Sequence, residues 1–161
     1  TLDDIYNTIA KLGTLIGNEY RAEKYINEMK SSIKGLGKNL PSKRALVYCE
    51  IDASNPYAPW TPGKNNLIDL LIYYAGGKNI SSVFNGKWQQ ISIQDLVKNQ
   101  PEYLIIPREN SIENLQDRPL WKQLKAIKNQ NVIYIDQRKL LSPSIDFIDT
   151  VNFIRAHLEN N

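Results

Sequence analysis

The chain has almost none of the residues that carry covalent or metal chemistry. It holds a single cysteine, Cys49, so no internal disulfide can form. Cys49 lies in the apolar run 45–51, where a thiol is expected as a core side chain rather than a reactive group. The single histidine, His157, leaves no second imidazole for a metal cage or a catalytic triad. Its place near the end of the last predicted helix suits a cation at the negative pole of the helix dipole. No apolar run approaches the ~20 residues that a membrane-spanning helix needs. Basic residues are scattered, and a net charge of +3 is too small to indicate nucleic acid. The expectation is therefore no metal site, no cofactor and no enzyme. Chelatase-like α/β enzymes would need a cluster of His, Cys or carboxylates near the strand ends, and a receiver-like domain would need an acidic cluster there. Glu50 and Asp52 offer only a faint version of the latter.

What is present is a regular alternation. The 161 residues, 42 % of them hydrophobic, suffice for one unstapled core. Leu2, Ile5, Ile9, Leu12 and Ile16 recur at helical spacing behind a capping box, Thr1-Leu2-Asp3-Asp4. A second helix over 19–36 follows. Strands are expected at 44–51, 102–106 and 131–135, with a short one at 78–80. Helices are expected at 66–75, from the Ser92–Asp95 capping box to before Pro101, and around Leu120, Leu124 and Ile127. A last helix should start at Ser142-Pro143 and carry Ile145 to Leu158. Strands alternating with helices predict an α/β fold: a parallel sheet with helices on both faces. Ligands of such sheets sit beyond the carboxyl ends of the strands. That directs attention to the loops 52–64, 81–91, 107–110 and 136–141.

The most distinctive stretch runs over 55–95, NPYAPWTPGKNNLIDLLIYYAGGKNISSVFNGKWQQISIQD. It sets Trp60 and Trp88 on loops beside helix starts, as a grip on a large, flat, partly apolar ligand would require. Tyr57, on the same loop as Trp60, could offer a phenolate to ferric iron, although a loop anchor is the simpler reading. Arg108 follows a strand and could pair with carboxylate or catecholate oxygens. Arg138, Lys139 and Lys64 are weaker cationic candidates. Trp121 reads as packing.

This stretch, together with IYNTIAKLGTLIGNEYRAEKYINEM, VYCEI, NQPEYLII and PLWKQLKAIKNQNVIYID, resembles the substrate-binding proteins of ABC importers for ferric siderophores, haem and cobalamin. The likeness spans nearly the whole chain and is to the C-terminal lobe of those two-lobed proteins. It implies that residues 1–161 form one lobe, that the helix at about 19–36 connects the lobes, and that the N-terminal lobe is absent from this piece of a longer protein. By resemblance the ligand is a small-molecule metal chelate, first of all a ferric siderophore, with cobalamin or haem as alternatives. The ligand-facing residues would be Trp60, Trp88, Tyr57 and Arg108. The implied partners are the ABC permease, its ATPase and the missing lobe. The implied location is extracytoplasmic, in a periplasm or lipid-anchored at the outer face of the membrane. The family docks a glutamate of this lobe onto permease arginines. The matching position here is Gln94, beside Asp95, and this departure puts charge-pair docking in doubt.

Overall fold

The computed structural model describes residues 1–38, 40–84, 88–110, 114–141 and 146–159. Helices α1 (Leu2–Leu15) and α2 (Glu19–Lys38) form a hairpin. Thr1 caps α1 through the expected reciprocal box with Asp4. The turn between them runs through Gly17 at φ 64°, a left-handed conformation that glycine adopts without a Cβ penalty. The helices approach so closely that a Cβ on Gly13 would collide with that of Ala22. At this corner Leu12, Leu15, Ile16 and Tyr20 are 54–80 % exposed, an apolar patch with no described partner surface.

The main sheet contains β1 (Ala45–Cys49), β3 (Gly77–Asn79), β5 (Tyr103–Pro107) and β6 (Val132–Ile135). Its order is β3-β1-β5-β6, and every pairing is parallel. Successive side chains point to opposite faces, so β1, β5 and β6 feed two cores. Val47, Cys49, Tyr103, Ile105, Ile133 and Ile135 pack against α2, α3 (Leu67–Tyr74) and α7 (Asp146–Glu159). Tyr48, Leu104 and Ile106 pack on the other face with α4 (Ile93–Asn99), α5 (Lys125–Lys128) and Trp121. The α/β architecture with helices on both faces is as the sequence predicts.

Arg155 on α7 ties three helices together. Its guanidinium donates to the carbonyls of Leu36 at 3.1 Å and Tyr74 at 2.6 Å, near the ends of α2 and α3. Both acceptors are helix-end carbonyls that need an outside donor. Arg155→Met keeps the stem and removes both bonds. It is expected to cost roughly 2–3 kcal/mol, the value of hydrogen bonds to a charged donor. Denaturant unfolding checks this, and an unchanged midpoint would show the staple to be inert.

Several local expectations are corrected. Residues 60–62 and 88–90, expected as loop, form the strands β2 (Trp60–Pro62) and β4 (Trp88–Gln90), paired antiparallel as a separate ribbon. The loop 136–141 contains a short helix, α6 (Gln137–Leu141). The helix marked by Leu120 starts later: Leu120 is exposed at φ 67°, Trp121–Gln123 is a 3-10 turn, and α5 begins only at Lys125. The left-handed backbone at Leu120 and the extended backbone at Leu124 interrupt the helical path, which moves the start along the chain. The start expected at Ser142-Pro143 and the core residue Ile145 lie outside the described residues. The second helix extends to Lys38, two residues past the expected end.

Candidate functional site

The chain leaves β1, runs out to β3 on one side, and returns to β5 on the other. The crevice between β1 and β5 is therefore the topological switch point of the sheet. Beyond β1 the backbone makes a closed excursion. Ile51 N donates to Trp60 O and Trp60 N to Asp52 O, both at 2.8 Å, so residues 52–60 leave and rejoin at one point. Inside it, Asp52 and Asn55 accept from the amides of Ser54 and Tyr57, the turn chemistry for which these residue types are suited. The excursion continues directly into β2.

The ribbon sits on a buried polar layer. Thr61 donates to Cys49 O at 2.7 Å and shares a hydrogen bond with Ser81 at 3.0 Å. Asn79 reaches Pro62 O at 2.9 Å, and Gln89 reaches Ser81 O at 3.0 Å. Ile91 N and Ile93 N donate to Pro59 O and Tyr57 O, extending the link from β4 to the start of α4. These bonds hold one face of the ribbon down.

The register places the tryptophans. Trp60 stands opposite Gln90 and Trp88 opposite Pro62. Cross-strand partners and every second residue share a face, so both indoles lie on the same face of the ribbon, diagonally across it. Trp60 is 39 % and Trp88 45 % exposed. Tyr57, at the excursion's tip, is more exposed still.

Arg108 is exposed in the 3-10 turn Arg108–Asn110, directly after β5. It lines a cleft of about 320 Å³ with Tyr134, Asp136, Lys139, Thr150 and Phe153, beside the edge strand β6. The structure thus sets Arg108 on the β5–β6 side of the sheet, and the tryptophans on the β1–β3 side. Arg138 is engaged by Asp136 at 2.9 Å, and those hydrogen bonds hold the Asp136 carboxyl below its ordinary range. Lys64 is exposed two residues before the N-cap Asn66. His157 bonds the Phe153 carbonyl one turn back at 2.8 Å, a local helix contact. Trp121 is fully buried, edge-on to Tyr48 with ring centres 6.3 Å apart.

At α4, Ser92 caps the helix by accepting from Asp95 N at 3.1 Å. The Asp95 carboxylate takes the Ser92 hydroxyl at 2.6 Å, so it engages the cap side chain and not the cap amide of a full capping box. Gln94 is exposed, and among the described residues nothing holds its side chain.

Sequence reasoning missed a buried ion pair at the switch point. Glu50, first residue past β1, pairs with Arg118 at 2.7 Å, the two side chains 0 % and 4 % exposed. Asn110 donates to Glu50 at 3.2 Å and to Ile51 O at 3.1 Å. Arg118 also donates to Asn110 O at 2.9 Å and lies 4.7 Å over the Trp121 ring. Burial pushes the Glu50 carboxyl up, while Arg118 and Asn110 pull it back. The one available signal was a glutamate ending an apolar strand, since a buried carboxylate needs a counter-charge.

Comparison with known proteins adds independent findings. A family profile described as periplasmic binding protein matches residues 1–139. The chain is 22 % identical over 138 residues to an uncharacterized ABC transporter substrate-binding lipoprotein, YvrC, of Bacillus subtilis (strain 168), covering 84 % of this chain and 44 % of that protein. It is 21 % identical over 164 aligned positions to the vitamin B12-binding protein of Vibrio parahaemolyticus, covering 99 % of this chain and 58 % of that one. It also overlays the crystal structure of the periplasmic heme-binding protein HutB of Vibrio cholerae with TM-score 0.86 at 17 % identity, covering 99 % of this chain and 64 % of that one. The chain spans about half the length of the curated relatives it matches.

Proposed function

Because the chain belongs to the periplasmic binding protein family, we propose that it is the C-terminal lobe of an extracytoplasmic ABC-importer component that binds a metal chelate between two lobes. The carrying observation is the pair of half-exposed indoles on one face of the β2–β4 ribbon, beyond the carboxyl ends of β1 and β3. Two flat apolar faces, mounted on a ribbon that is bonded from below, suit a bulky chelate and supply no reactive group. The first ligand class is a ferric siderophore, with Arg108 on the flank of the cleft for its anionic oxygens. Haem or cobalamin is the second reading, favoured by the exposed phenol of Tyr57 and the names of the relatives. The exposed apolar corner of α1 and α2 is the surface we assign to the other lobe.

The test is a binding panel on the full-length protein: a ferric trihydroxamate, a ferric catecholate, hemin and cyanocobalamin, each titrated against tryptophan fluorescence. Submicromolar binding of one of them is expected, and binding of none would sink the reading. This lobe alone should bind that chelate weakly or not at all, because half the contacts are missing.

Gln94 and Asp95 are proposed to face the permease. Gln94→Glu adds the charge that permease arginines would meet. Uptake at limiting permease should then rise about 2–5-fold, the scale of an exposed ion pair, with chelate affinity unchanged. Unaltered uptake would move the docking contact elsewhere.

A further inference from the structure

We propose that Glu50, Arg118 and Asn110 form a positioning hub that holds the root of the aromatic excursion 52–60 to the segment after β5, and so sets where that excursion stands over the switch point. Its functional consequence rests on the cleft reading above, but its structural content does not. The loops it joins leave open space between them. A cleft of about 380 Å³ is lined by Asp52, Ser54, Pro56, Glu109, Asn110 and Arg118. At the base of that cleft, polar bonds join the root of the excursion to the turn after β5.

Those bonds converge on one point. Glu50 receives Arg118 through one carboxylate oxygen and Asn110 through the other. Ile51 O, at the root of the excursion, accepts from Asn110 and also from Gln137 on α6 at 3.2 Å. Gln137 N in turn donates to Glu109 at 3.2 Å. Arg118 covers Trp121, whose indole nitrogen lies 3.5 Å from Pro56 O within the excursion. The segment after β5 is therefore tied to the buried Glu50 carboxylate, and the segment after β6 joins it one residue on, at the Ile51 carbonyl. Glu50 touches no cleft surface itself and acts through what it holds.

A buried ion pair is a poor stabiliser compared with apolar residues of similar volume, yet it has stricter geometry. That contrast gives the test. In the full-length protein, Glu50→Leu/Arg118→Met should leave the unfolding midpoint near that of the wild type. Hydrogen exchange at the amides of Ile51, Ala58 and Trp60, all bonded within the excursion, should accelerate at least tenfold. Exchange at Glu102 and Leu104, bonded at the sheet's other end, should not change. Unchanged exchange at the excursion in the folded variant overturns the hub. Should the double variant fail to fold, Asn110→Ala, which keeps the ion pair, carries the same readout with an expected acceleration of several-fold and the same overturning result. Hemin and a ferric trihydroxamate are titrated in parallel. Faster exchange with unchanged affinity for whichever chelate the wild type binds keeps the hub and removes the cleft reading.

Discussion

Arg118→Ala is expected to lower the unfolding free energy by about 3–5 kcal/mol, because it strands a buried carboxylate. Glu50 is fully buried, and Arg118 is its only charged partner within ion-pair distance among the described residues. The substitution also opens space beside Trp121, which the guanidinium now covers. The cost should depend on pH in a defined sense. Burial already raises the Glu50 carboxyl above its ordinary value, and Arg118 is what restrains that rise. Without Arg118 the carboxyl climbs further, so the folded variant binds a proton that the unfolded chain releases. A group raised in this way favours the fold below its unfolded value, and that contribution is lost as pH rises through the folded value. The variant should therefore be most damaged at neutral pH and recover relative to wild type as the solution is acidified. Urea unfolding at a series of pH values measures both effects. A small, pH-independent loss would mean that water or another group takes over the pairing.

Trp60→Ala and Trp88→Ala in the full-length protein should each weaken chelate binding by about 10–100-fold. This follows from about 1.4 kcal/mol per tenfold change and the weight that aromatic anchors carry in binding sites. Stability should change much less, since both indoles are about half exposed and the bonds that hold the ribbon come from backbone, Thr61, Asn79 and Gln89. The double variant should lose more than either single one if both rings contact the same ligand. Calorimetric titration with the chelate identified in the panel is the measurement. Wild-type affinity in both single variants would remove the ribbon face from the ligand contacts.

The sheet was legible because its strands announce themselves locally. The runs at 44–51, 102–106 and 131–135 are short, apolar and rich in β-branched or aromatic residues, and helical periods fill the gaps between them. The candidate site was legible only as residue types. Trp60 and Trp88 stood out, but their shared face depends on a register between two three-residue strands separated by α3, β3 and a 3-10 turn. Nothing local sets such a pairing, and Pro62 within one strand argues against reading it at all. Glu50 and Arg118 are 68 residues apart. No spacing rule links them, and only the fold brings them together. Leu120 misled for the opposite reason: its spacing to Leu124 and Ile127 is helical, while Leu120 itself takes a left-handed backbone.

Cys49 has a practical consequence for measuring motion. It is the chain's sole thiol and lies at the centre of the sheet, fully buried, with burial and the neighbouring Glu50 charge both raising its pKa and so opposing its ionisation. Maleimide dyes need an accessible thiolate, which this residue does not offer in the folded lobe. An introduced surface cysteine, on the α4 turn or near Tyr57, would therefore take the label at one chosen place without removal of the native one. Paired with a second dye on the proposed other lobe of the full-length protein, such a label would report, one molecule at a time, whether the distance between them changes when a chelate is added.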